Sequence, residues 1–145
     1  MAGTAWQLQN KHLRNEVRPF GYAIVAPGYI CPEDAEVWAQ DLRRLVTQGG
    51  RETFGLLVDT RRQPVQPPGT ARIIQEIMLW LHDHGVRRSA VVGDNAILLL
   101  QVKRLATEAG IRENERYIDI RGTPDWERVA TDWIEHGIEP PEAEE

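Results

Sequence analysis

The stretch LLVDTRRQPVQPPGTARII occupies residues 56–74. Its first part closes TFGLLVDT (53–60), which is apolar on both of its alternating phases. A strand with no polar phase is buried on both faces, as in a sheet covered by helices. Asp59 and Thr60 end it, and a basic, proline-rich connection follows. TARIIQEIMLWLHDHG (70–85) then repeats Ile73, Ile74, Ile77 and Leu81 at helical spacing, with Gly85 as its stop. A doubly buried strand feeding a helix predicts an α/β fold.

The flanking sequence extends the alternation. Upstream, WQLQNKHLR (6–14) reads as an edge strand, and a second strand covers 21–26 before Pro27-Gly28 breaks it. CPEDAEVWAQDLRRLVTQGG (31–50) reads as a helix, with Pro32 at its first position and Glu33, Asp34 and Glu36 on the positive end of the dipole. Downstream, RSAVVGD (88–94) is an apolar strand. Asp94 is expected to cap a helix that ends before Gly110. RYIDI (116–120) is a last strand, and TPDWERVATDWIEHG (123–137) a last helix with Thr123 as cap and Pro124 in its first position. The order ββαβαβαβα predicts a mixed, mostly parallel sheet of about five strands with about four helices. The first two strands, close in sequence, are expected to pair antiparallel. Residues 1–137 form a single domain, and 138–145 read as an acidic disordered tail.

Composition bounds the function. The 145-residue chain carries a net charge of −5, which argues against general affinity for nucleic acid or anionic membrane. Cys31 is its only cysteine, so neither a disulfide framework nor a cysteine metal site is expected. No apolar run reaches the ~20 residues of a membrane span, and the first residues lack the apolar core of a signal peptide. A cytoplasmic protein is the expectation. His82 and His84, two apart, point about 200° away from each other on a helix and do not suit a shared metal. No glycine-rich phosphate motif and no Ser-His-Asp or Cys-His arrangement stands out, so neither a cofactor nor an enzymatic activity is expected.

Several strands also carry a family resemblance. Leu56-Leu57-Val58-Asp59 as central strand, Arg88 to Asp94 as the next strand and turn, Arg116-Tyr117-Ile118-Asp119-Ile120 as the last strand and Trp133-Ile134 in the closing helix resemble the STAS domain. The likeness is to the SpoIIAA-like branch of small bacterial proteins, and covers roughly residues 20–137. It implies a non-enzymatic protein-interaction or signalling module. In the anti-sigma-factor antagonists of this superfamily a Ser or Thr after a strand-end Asp accepts phosphate, and the added charge breaks the partner interface. Asp59-Thr60 matches the start of that pattern and makes Thr60 the possible phosphoacceptor. RRQPVQPPG then departs from it, since the antagonists pass directly into a helix. Thr70 competes for the position.

The remaining candidates concern surfaces. Asp59, Thr60, Arg61 and Arg62 stand where open α/β sheets place their sites, though a strand-end Asp and Thr also satisfy loop amides. An Arg61/Arg62 pair suits a phosphate or carboxylate, or an ion pair with Asp59. The runs 77–81 and 97–100 are apolar nearly all round their helices, so Ile77, Trp80, Leu99 and Leu100 are expected either in the core or in an interface with a protein partner or a second copy. The same helices suit the wall of a pocket for an apolar, lipid-like ligand, the alternative function.

Overall fold

A computed structural model describes residues 7–141. Five strands form one sheet in the order β1-β2-β3-β4-β5: β1 Arg14–Arg18, β2 Gly21–Val25, β3 Phe54–Asp59, β4 Val86–Gly93 and β5 Glu115–Asp119. β1 pairs antiparallel with β2, and each later neighbour is parallel. The helices are α1 Pro32–Gly49, α2 Pro68–Asp83, α3 Ala96–Ala109 and α4 Trp126–His136. This is the expected α/β fold.

Sequential strand order fixes the layers. Parallel crossovers are right-handed, so three successive steps in one direction lay their helices on one face. Tyr22, Ile24, Phe54 and Leu56 point to that face and pack with Trp38, Leu42, Ile73, Ile77 and Leu81 of α1 and α2. Val91 points the same way and meets Leu98, Leu99 and Val102 of α3. The opposite phase, Ala90, Val92 and Ile118, packs under Val129, Trp133 and Ile134 of α4. Gly55 admits the close approach of α4, since a Cβ there would collide with Ile134. Buried Trp133 donates its Nε1–H to the Ser89 carbonyl at 2.9 Å, and Arg116 lies 4.0 Å over its ring.

Three boundaries differ from expectation. The first strand begins only at Arg14. Upstream of it, the Asp34 carboxylate accepts the Gln9 and Asn10 amides, each at 2.9 Å, so a side chain replaces the ladder there, and Leu13 turns into the core. Asn95, not Asp94, caps α3: its Oδ1 accepts the Ile97 and Leu98 amides at 3.0 and 3.3 Å. α4 begins at Trp126 rather than at Pro124: after a 3-10 turn at Ile120–Gly122, capped by the Asp119 side chain, Pro124 and Asp125 lie in a turn that the Trp126 amide closes on the Thr123 carbonyl at 3.1 Å. Trp6 of the expected first strand and residues 142–145 of the expected tail lie outside the described residues. Within the tail, Glu139 pairs with Arg116 at 2.7 Å.

Candidate functional site

The carboxyl ends of β2, β3 and β4 meet three loops: residues 7–13, residues 26–31 and the 60–67 connection. The connection is seated by buried amides. Gln66 Oε1 accepts the Ile30 amide at 2.9 Å, while its Nε2 donates to the Gly28 and Pro64 carbonyls at 3.0 and 3.2 Å. Gln63 donates to the Ala26 carbonyl, and the Thr70 hydroxyl to Ile30 at 2.7 Å. Backbone and side chain of Gln66 and Gln101 exchange two further bonds, at 3.1 and 3.0 Å, tying the loop to α3. The prolines suggest a stiff loop, but the glutamines hold it in place. Sequence reasoning missed them, because nothing local marks a buried Gln.

The four strand-end candidates separate. Asp59 is buried and held by Arg61, whose guanidinium spans both its oxygens. Thr60 is 2% exposed, and its hydroxyl donates to the Val92 carbonyl at 2.8 Å. A kinase reaches that oxygen only if the loop opens. Thr70, its competitor, is fully buried in the first turn of α2. Arg61 and Arg62 are exposed and diverge: Arg61 turns to Asp59 and over Trp126, whereas the Arg62 guanidinium has no ion pair or hydrogen bond among the described residues.

Most of the apolar helix residues belong to the core. Ile77 and Leu99 are buried, so both leave the list of surface candidates. Each lies on the inward stripe of its helix, where the sheet claims it first. Trp80 is half-buried and stacks on the His84 ring at 3.8 Å. Leu100 is 63% exposed, and Ile97, one turn earlier, is 67% exposed. Val65, 46% exposed, sits in the loop that Gln66 docks on the same helix. Leu79 is 41% exposed but stands apart. Gln75 of α2 is level with Leu105 of α3, to whose carbonyl it donates. At 1.5 Å per residue, Leu79 and Leu100 then lie roughly 13 Å apart along the helices.

Inside, a cavity of about 70 Å³ lies between the sheet and α1–α3. Its walls are apolar apart from a few groups, among them Glu115 and Ser89. Buried Glu115 accepts the Tyr117 phenol at 2.6 Å and the Ser89 hydroxyl at 2.9 Å. Burial pushes its carboxyl above the ordinary range, against the pull of those two hydrogen bonds. Burial, with the neighbouring carboxylate, raises the Tyr117 phenol too, keeping it a donor. Among the described residues no group of three or more His, Cys, Asp or Glu is placed to hold a metal, and no helix is long and apolar enough to cross a membrane.

No family model, curated protein or solved structure matches the chain.

Proposed function

We propose that the protein is a non-enzymatic regulatory module of STAS type, working in the cytoplasm by pairing with a second copy of itself. The contact surface is the outward side of the first turns of α3, with the 60–67 loop beside it. The observation that carries this reading is the exposure of Ile97 and Leu100, 67% and 63%, on a helix that already buries Leu98 and Leu99. A two-fold axis sets such a patch against its own copy, so a single small apolar surface is self-complementary. The seated loop adds Val65 without an ordering cost at the moment of contact. The strand and helix order supports the STAS resemblance, and the location of Asp59 and Arg61 at the carboxyl edge supports a regulatory role for that end.

Sedimentation velocity over a range of concentrations tests it. Wild type is expected to show reversible dimerisation, and the double variant Ile97→Glu/Leu100→Glu to remain monomeric with an unchanged thermal transition. A wild-type chain that stays monomeric at the highest concentration sinks the self-association reading.

A second reading, a carrier or sensor of an apolar ligand, rests on the apolar cavity between the sheet and the helices. Its volume of about 70 Å³ has room for a small group only. A chain-like ligand requires α2 to lift from the sheet, and native mass spectrometry of the purified protein looks for it directly.

A further inference from the structure

We infer that the carboxyl-edge cleft binds a small oxyanion, a phosphate or carboxylate group, between Arg62 and His12. The site goes beyond the interaction reading and does not depend on it. Two adjoining hollows of about 470 and 350 Å³ open there, and both are lined by His12, Pro27 and Arg62. They form one cleft with these residues at its waist. It lies outside the carboxyl ends of β2 and β3, where open α/β sheets take their ligands.

Charge selects the ligand. Three carboxylates face the cleft, and each is already engaged. Asp34 accepts the Gln9 and Asn10 amides, Asp59 is clamped by Arg61, and Asp94 accepts the Arg62 amide at 3.0 Å. On the basic side Arg14 is shared with Glu16 at 3.1 Å. The Arg62 guanidinium and the His12 ring have no partner among the described residues. A fork of free donors that lines the same cleft as an imidazole suits a carboxylate or phosphate, which accept two parallel N–H bonds.

The backbone adds a second argument. Arg62 has φ of +62°, alone among the described non-glycine residues in being positive. A side chain is disfavoured there, and such residues persist where the surroundings impose them, often at ligand sites. Here Asp94 takes its amide, and its carbonyl accepts the Gly28 amide at 2.9 Å. The loop thus fixes the origin of the Arg62 side chain at the waist of the cleft. A glycine adopts this conformation without strain, so the backbone geometry itself does not call for an arginine.

Calorimetric titration with inorganic phosphate, and separately with citrate, tests the assignment. Wild type is expected to bind at least one of them saturably, in the millimolar range or tighter, and the anion that binds identifies the group. Arg62→Gly, which keeps the backbone conformation, is expected to weaken binding at least about tenfold. His12→Ala weakens it less, and Arg104→Gln on the outer side of α3 leaves it unchanged. No saturable binding of either anion by wild type overturns the proposal, as does equal weakening by Arg104→Gln and Arg62→Gly. Sedimentation of the same samples separates the two readings: a monomer that binds phosphate retains this site and loses only the pairing.

Discussion

Arg61 grips Asp59 from two residues away: Nη2 stands 2.7 Å from Oδ2, Nε 3.0 Å from Oδ1, and the Arg61 amide donates to Oδ1 at 3.1 Å. The same guanidinium lies 4.7 Å over the Trp126 ring. One side chain thus closes the end of β3, starts the connection and touches the first turn of α4. The aspartate that a sequence reader takes for a free acid or a switch partner is bound and charge-compensated.

That arrangement predicts an asymmetry. Asp59→Ala removes a buried acceptor from three donors and is expected to cost about 1–3 kcal/mol. Arg61 is largely solvated, so the coupling between the two in a double-mutant cycle should be only ~0.5–1 kcal/mol. Urea denaturation of the two single variants and the double variant measures it. A coupling indistinguishable from zero would show that water replaces the pair.

The seating of the loop predicts a larger effect at Gln66. Its side chain joins three backbone groups and is buried. Gln66→Ala leaves the Ile30 amide without its acceptor and is expected to cost about 2–3 kcal/mol. Pro67→Ala, which touches only stiffness, should cost less than about 1 kcal/mol. If the order is reversed in chemical denaturation, the prolines rather than the glutamines hold the loop.

Glu115 predicts a pH dependence. Its native carboxyl is raised by burial, so between the unfolded value, about 4.3, and the native one the folded state binds more protons. Stability from this group is therefore complete below the unfolded value and is lost as pH rises through the native one. Glu115→Gln keeps an acceptor for Tyr117 and a partner for Ser89 while removing the charge. Relative to wild type, it is expected to gain stability on going from about pH 5 to about pH 8. Urea midpoints at the two pH values compare them, and parallel pH profiles would assign the titration to another group.

The sheet was legible in the chain because burial leaves a local mark. Strands with no polar phase, at 54–59 and 89–93, can only sit inside a covered sheet, and the helices between them carry their own inward stripes. What was hidden depends on contacts distant in sequence. The 7–13 segment looks like a strand by composition, but Asp34, more than twenty residues on, takes its amides. The 97–100 run shows that four apolar residues in a row surround a helix without showing which pair faces out. The sheet decides that by burying Leu98 and Leu99. His12 gave no signal at all, since its place in the cleft depends on how residues 7–13 fold over the sheet edge.

Arg62 offers the last test, because its two effects oppose each other. A non-glycine residue in the left-handed region is strained by roughly 1–2 kcal/mol. Arg62→Gly relieves that, and the added freedom of the unfolded glycine costs about 0.5–1 kcal/mol. The amide bond to Asp94 and the carbonyl bond from Gly28 are both backbone bonds on the Arg62 side and survive the change. The variant should therefore be as stable as wild type, or more stable by up to about 1.5 kcal/mol. Arg62→Val, which keeps a Cβ and adds a branch, should lose more than about 1 kcal/mol, since branched side chains tolerate this region least. Thermal melts of the two variants beside wild type decide it. A Gly variant clearly less stable than wild type would mean that the guanidinium itself holds the loop, contrary to its lack of partners here.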